Sequence, residues 1–393
     1  MSLVAAAEED LKAGEHMALA DKRFLLQRPD SLVSPDEKAK LKEEVMAGIK
    51  ENNMSVFYEE TCAKLGWEVD QTFLTTMKKA NEERLKELAE QLEKAKESEG
   101  EVEILDAMTA KADFYFLIGD KAKCIEAINA IPVESMSTGT KIDAELKHIR
   151  VGLFHMDKDI LKEKIAKAKE LIEKGGDWER RNRLKIYEAS YQLIMRDFEG
   201  ASENLMSSIA TFTCYEVMTY KTFVSYAVLL GMLTLKRGEL KKKIIDSPDI
   251  LTVIRELPEL GVFLNALYDC DYKNYIRSFN AVHDHIQRSR YFAKHTHYYI
   301  KEMRVAAYKQ FLASYKSVTL ESMANMFGVK VGFIDQELFR FITMGRLEAK
   351  IDKVAGIIET NRPDAKNAQY QATLKDGDAL LNRIQKLARV LQV

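Results

Sequence analysis

Apolar residues recur at intervals of three and four along nearly all of this 393-residue chain, and only near its end does the interval drop to two. The first spacing marks one face of an α-helix and the second one face of a β-strand, so the chain is confined to packed helices with one small sheet. The change falls within Ser314 to Glu359. Ser317-Val318-Thr319 is short and β-branched, and Leu320, Met323, Ala324 and Phe327 then form a helical stripe that Gly328 ends. Phe333, Ile334, Leu338, Phe341 and Ile342 form a second stripe, ended at Gly345, where a left-handed residue can stop a helix. Leu347, Ala349 and Ile351 next alternate with Glu348, Lys350 and Asp352, and after Asp352 to Gly356 the pair Ile357-Ile358 supplies a returning strand. Helix, turn, helix and hairpin predict a winged helix.

A winged helix that reads DNA carries Arg, Lys, Asn or Gln toward base edges and cations toward phosphates. Val331 to Met344 offers Asp335, Gln336, Glu337 and Arg340, two carboxylates against one guanidinium, a net of −1. Phosphate neutralisation dominates nucleic-acid affinity, so this helix favours a protein partner. The whole chain agrees: 31% charged residues with a net of −2 give no bulk attraction to nucleic acid or anionic membrane.

Upstream, from Ile104 to Ile300, a turn motif repeats. It reads Ile118-Gly119-Asp120, His155-Met156-Asp157, Met195-Arg196-Asp197, Leu235-Lys236-Arg237-Gly238 and Asp269-Cys270-Asp271. Successive turns lie about 33 to 41 residues apart, the period of helix pairs in TPR-like solenoids. Each pair buries its faces by stacking on the next, which leaves a surface suited to binding rather than chemistry. Before the repeats, Pro29 and Pro35 separate an N-terminal tail from a helix at Asp36–Lys50, and Gln71–Ser98 reads as a long helix dense in Lys and Glu. After the wing, Leu374, Leu380, Leu381, Ile384, Leu387, Ala388 and Leu391 recur at helical spacing and predict an amphipathic C-terminal helix.

Catalytic and metal motifs are missing from the sequence: there is no GxxxxGK[ST], GxSxG, HExxH or CxxC. Cys62, Cys124, Cys214 and Cys270 lie far apart and read as buried thiols of a reducing compartment. Met1 to Ala20 lacks the basic start and apolar core of a signal peptide, and no run of about 18 apolar residues could span a bilayer. His283, His285, His295 and His297 are the one tempting metal set, but residues i and i+2 of a helix point in nearly opposite directions. Asp269 and Asp271 read as turn or cap residues. Two basic clusters remain, Arg180, Arg181, Arg183 and Lys185 after Trp178, and Lys241-Lys242-Lys243.

Longer runs support a resemblance. Phe333-Ile334-Asp335-Gln336-Glu337-Leu338, Lys350-Ile351-Asp352-Lys353-Val354 and Glu359-Thr360-Asn361-Arg362-Pro363-Asp364 resemble the winged-helix end of a PCI domain. With Met77-Lys78-Lys79-Ala80-Asn81-Glu82, Gly175-Gly176-Asp177-Trp178-Glu179-Arg180-Arg181-Asn182 and Tyr220-Lys221-Thr222-Phe223-Val224 they resemble PCI proteins of the lid of the 26S proteasome regulatory particle. The likeness runs from about Arg23 to the end, apart from the loop Glu134–Thr140.

That resemblance implies a mostly all-α fold: a TPR-like helical-repeat solenoid, a winged-helix PCI module and a C-terminal helix. The expected boundaries are a poorly determined tail over 1–35, helices over 36–103, the solenoid over 104–300, the winged helix over 301–363 within a PCI domain of about 195–363, and the C-terminal helix over 364–393. It implies a non-catalytic scaffold without cofactor, found in cytoplasm and nucleus, whose partners are other PCI and MPN subunits of the lid and the regulatory-particle base. No membrane is expected, and nucleic acid is disfavoured. The expected interaction residues are Lys350, Ile351, Asp352, Ile357 and Ile358 at an exposed wing edge, Leu380, Leu381, Ile384, Leu387 and Leu391 in a shared helix bundle, and Arg180 and Arg181 against an acidic neighbour. A PCI scaffold of the signalosome and an RNA-binding PCI protein are the alternatives. A sister lid subunit of this resemblance carries a zinc motif with a His-x-His pair, then Pro, Ser and Asp. Here Tyr298, Val305 and Tyr308 stand near those last three places.

Overall fold

A computed structural model describes residues 3–97, 100–132, 137–361 and 365–391. It divides into two compact units, Met1–Leu264 with Phe279–Tyr299, and Asn265–Ser278 with Ile300–Val393. The second unit takes in residues 265–278, which the sequence pattern had placed with the solenoid.

The first unit begins with α1 (Leu3–Leu26), α2 (Pro35–Glu51), α3 (Ser55–Leu65) and α4 (Gln71–Glu97). The first of these corrects the expectation of a loose tail. The face that α1 buries mixes Met17, Leu19 and Ala20 with His16 and Arg23, so its amphipathic signal is blurred. Its polar groups are matched by partners distant in sequence: the Arg23 guanidinium lies 4.2 Å over the Phe57 ring and bonds Glu60 at 3.3 Å. The α4 helix buries Leu74, Met77 and Leu88 on one face and leaves its Lys and Glu residues outside.

Helix pairs follow. They are α5 (Glu101–Ile118) with α6 (Lys121–Asn129), α7 (Thr138–His155) with α8 (Lys158–Glu173), and α9 (Trp178–Met195) with α10 (Phe198–Ser208). Next come α11 (Tyr220–Thr234), the short α12 (Arg237–Leu240) running into a π-turn at Lys241–Ile245, and α13 (Pro248–Ile254). The remaining helices before the wing are α14 (Pro258–Tyr268), α15 (Tyr272–Gln287) and α16 (Thr296–Leu312).

Four of the five predicted turns share one construction. A left-handed residue ends the first helix, at Gly119, Met156, Arg196 and Cys270, with φ of 82°, 58°, 67° and 64°. The aspartate that follows caps the next helix: Asp120 accepts from Lys123 N, Asp157 from Asp159 N and Ile160 N, Asp197 from Gly200 N, and Asp271 from Asn274 N. The fifth turn, at Leu235–Gly238, departs from the pattern because Lys236 has no side-chain oxygen to cap with, and Leu235 is extended. Only one of the four left-handed positions holds glycine, so the others carry strain that a side chain pays in this region. Met156→Gly is therefore expected to stabilise the fold by about 0.5–1 kcal/mol, and Asp157→Ala to cost about 1–2 kcal/mol, read from denaturant midpoints.

Several histidines of this unit are wholly or partly buried. Burial holds the imidazoles of His16, His148 and His155 down at about 4, well below the ordinary histidine value, so they are neutral in the folded chain near neutrality. The unfolded chain takes up their protons near pH 6.5 and the folded chain only near 4, so stability falls as pH drops through that window. His148→Gln should flatten this fall by up to one proton, about 1.4 kcal/mol per pH unit, measured by urea unfolding between pH 6.5 and 4.

In the second unit, β1 (Ser317–Thr319), α17 (Leu320–Phe327), α18 (Val331–Thr343), β2 (Ala349–Asp352) and β3 (Ile357–Thr360) form the winged helix, and α19 (Ala365–Leu391) follows. The sheet is antiparallel in the order β1-β3-β2, with Val318 and Ile351 both opposite Ile358. Its core gathers on Tyr308, whose ring centroid lies 5.0 Å from Phe327 and 6.1 Å from Phe341. The Tyr308 hydroxyl donates to Glu337 Oε2 at 3.0 Å, and Arg304 pairs with Glu337 Oε1 at 2.9 Å. One acid that the sequence assigned to the surface of the second helix thus points inward and ties α18 to α16.

Candidate interaction surfaces

Strand order decides what the wing can offer. Because β3 lies between β1 and β2, Ile357 and Ile358 are not at an edge, and the Ile358 side chain is fully buried. This corrects the expectation that Ile357 and Ile358 lie at the exposed wing edge; of the two hairpin strands, β2 is the one with a free side. Asn361 N donates to Glu348 O at 3.0 Å, and Thr360 N to Lys316 O at 3.0 Å, which fixes the alternation of the ladder. Lys350 and Asp352 therefore direct their amides at β3, while the N–H and C=O of Ala349 and Ile351 face outward. The side chains divide as the sequence pattern required, with Leu347 and Ala349 buried and Glu348, Lys350 and Asp352 exposed. Asp352 shapes the hairpin tip by accepting from Val354 N and Ala355 N at 2.9 and 3.1 Å, and Gly356 takes φ 62°.

The second surface is α19. Its apolar residues are open to solvent: Leu374, Leu380, Leu381, Ile384, Leu387 and Val390 retain between 55% and 75% of their exposure. None of its described side chains is buried. Leu381, Ile384 and Ala388 keep a three-four rhythm while Leu380 and Leu387 widen the stripe, giving a face broader than a two-stranded seam needs. The described side chains end at Val390, so the Leu391 side chain lies outside them, as do Arg362, Pro363 and Asp364.

The basic cluster on α9 divides. Arg180 is committed within the chain, holding Asp143 with two hydrogen bonds at 2.8 and 2.7 Å and pairing with Asp177. Arg183 faces Glu179 and the buried Glu216. Arg180 is therefore unavailable as a ligand for a neighbour, which sequence could not show because Asp143 lies on α7. Arg181 stays exposed beside Trp178, which retains 65% of its exposure.

The histidine set separates as well. His283 and His297 approach to 6.4 Å between ring centroids, but His295 Nε2 is engaged with Ile194 O at 3.0 Å. Among the described residues no group of three or more His, Cys, Asp or Glu is placed to hold a metal ion. Cys62, Cys124 and Cys214 are buried, and Cys270 is half-buried at its left-handed turn. No described helix is long and apolar enough to cross a membrane.

Comparison with known proteins bears on these surfaces directly. Three family models match, 26S proteasome subunit RPN7 over residues 70–243, PCI domain over 276–362, and 26S proteasome regulatory subunit RPN7/PSMD6 C-terminal helix over 369–391. The 26S proteasome non-ATPase regulatory subunit 6 homolog of Arabidopsis thaliana is 48% identical over 378 residues, 96% of this chain and 97% of that protein. The 26S proteasome regulatory subunit RPN7 of Saccharomyces cerevisiae is 37% identical over 400 residues, 95% of this chain and 93% of that protein. COP9 signalosome complex subunit 1 of Arabidopsis thaliana is 24% identical over 188 residues, 48% of this chain and 42% of that protein.

Proposed function

The chain belongs to the 26S proteasome non-ATPase regulatory subunit 6 family, and on that premise we propose that it is a scaffold of the proteasome lid that works without chemistry of its own. Its part in ubiquitin-dependent protein degradation is to hold neighbours in register. The observation that carries this reading is that both surfaces left unsatisfied in the second unit are shapes that other chains complete. A strand edge with outward amides accepts another strand, and an unburied apolar helix accepts other helices. The family model that matches α19 assigns that segment to the same kind of subunit. The partners this implies are the other PCI and MPN subunits of the lid and the regulatory-particle base, in cytoplasm and nucleus. The signalosome reading is weaker, since that likeness covers 48% of the chain against 96%.

Affinity purification of the tagged chain from its own cells tests the proposal. Proteasome lid and base subunits are expected to co-purify in stoichiometric amounts. Recovery of signalosome subunits instead, or of RNA that is lost with rising salt, would sink it.

The wing makes its own prediction. Ile351→Pro removes an outward donor while leaving the β2 to β3 ladder its hydrogen bonds, whereas Lys350→Pro removes a ladder donor. Ile351→Pro should therefore melt within a few degrees of the parent yet enter the assembled lid at least tenfold less well. Lys350→Pro should lower the melting temperature. Normal incorporation of a folded Ile351→Pro chain would exclude pairing through this edge.

A further inference from the structure

Three successive helices of the repeat, α5, α7 and α9, present their second-last carbonyl to a donor from far along the chain. The carbonyl of Leu117 lies 3.2 Å from His16 Nε2, that of Phe154 accepts from Arg290 Nη1 at 3.0 Å, and that of Ile194 lies 3.0 Å from His295 Nε2. Carbonyls of a last helical turn have no partner within their helix and form the negative end of its dipole. A stack of repeats thus sets out a row of acceptors along one edge, and α1 lies against the first part of that row. At Gly14 a Cβ would come within 2.4 Å of the Tyr215 carbonyl oxygen, so only glycine permits this approach. The His16 ring stacks on Phe154 at 4.5 Å and leans on Phe116 at 4.6 Å. Asp21 pairs with Arg290 Nε at 2.8 Å, joining α1 to the same arginine that caps α7.

We propose that this edge is a binding site for an amphipathic helix carrying donor side chains, that α1 is its resident occupant, and that α1 leaves and returns as one body while the repeats stay folded. The face of α1 is built for a reversible seat. Two of its five buried residues among 14–26, His16 and Arg23, carry polar heads. The His16 Nδ1 finds no hydrogen-bond partner among the described residues, a cost that undocking relieves. The repeats themselves are held by their neighbours, and α7 alone buries Ile142, Leu146, Ile149 and Leu153 within the stack. Departure of α1 uncovers Phe116, Phe154 and the Leu117 carbonyl. The helix that fits there places a glycine at Tyr215, an imidazole or guanidinium donor two residues on, and a carboxylate five residues beyond that for Arg290.

Hydrogen exchange on the full chain tests this. Amides of 14–26 are expected to exchange through an opening separate from that of α7 and α9. Asp21→Asn, which loses its charge on Arg290, should raise their exchange about tenfold and leave α7 and α9 unchanged. A labelled peptide of residues 3–26 should then bind the Asp21→Asn chain in trans, and the same peptide with Gly14→Val should not. One exchange rate shared by α1, α7 and α9 in both proteins would overturn the proposal. So would equal binding of the two peptides.

Discussion

Deleting Lys375–Val393 is expected to leave a soluble chain that melts like the parent but drops out of the lid. Among the described residues α19 gives its own fold no buried side chain, and the five large apolar residues that the deletion removes, Leu380, Leu381, Ile384, Leu387 and Val390, keep more than half of their exposure. Removing them takes nothing from the core around Tyr308. In an assembly the balance reverses. Even at half the usual 1.5–3 kcal/mol per large side chain, burying five amounts to at least roughly 4 kcal/mol, about a thousand-fold in an association constant. The breadth of the stripe, with Leu380 and Leu387 flanking Leu381, Ile384 and Ala388, suits a bundle of several helices. Sedimentation, thermal melting and co-purification, made on the same truncated protein, separate the outcomes. A truncated chain that aggregates or unfolds alone would show that α19 serves its own fold instead.

Glu216→Ala should be the most damaging single substitution in the first unit, costing about 3–5 kcal/mol. Its carboxylate is fully buried: the Tyr187 hydroxyl donates to Oε1 at 2.6 Å, the Cys214 thiol to the same oxygen at 3.7 Å, and Arg150 and Arg183 each approach it at 3.6 Å. Burial pushes the Tyr187 hydroxyl well above its ordinary range, so it remains a donor. Truncation takes the buried carboxylate from two half-buried guanidinium groups, of which Arg183 keeps Glu179, and deprives the Tyr187 hydroxyl of its acceptor. Glu216→Gln, which can still accept from Tyr187, should lose less. Urea unfolding of both variants gives the comparison. Equal stability of parent and Glu216→Ala would show that the cluster is incidental to the fold.

How much of this was legible in sequence follows from where each signal resides. The winged helix and the helix pairs were readable because periodicity and turn chemistry are local: the apolar interval, the left-handed stop and the aspartate cap all lie within a few residues. Asp120, Asp157, Asp197 and Asp271 do what such aspartates do in any short helical turn. Strand order is not local. Nothing in Ile357-Ile358 announces that Val318 pairs on its far side, so the pair was placed at the exposed edge. Arg180 was misread and Glu216 passed over for the same reason, since their partners lie 37 and 29 residues away on other elements. The α1 helix was missed because its buried face carries a histidine and an arginine, which a hydropathy pattern counts as surface.

The position of α1 also sets an order of events during synthesis. Its His16 meets Leu117 across 101 residues, and the neighbouring start of α2 meets Arg288, which bonds Glu37, across 251. At about 5–20 residues per second, the ribosome needs roughly 10–50 s to deliver the later partner after the earlier one has emerged. Through that interval the seat of α1 is unfinished: Gly48 of α2 already packs on Leu19, but Arg290, the partner of Asp21, has yet to emerge. The pair α1 and α2 is thus locked late, by a contact that closes across 251 residues.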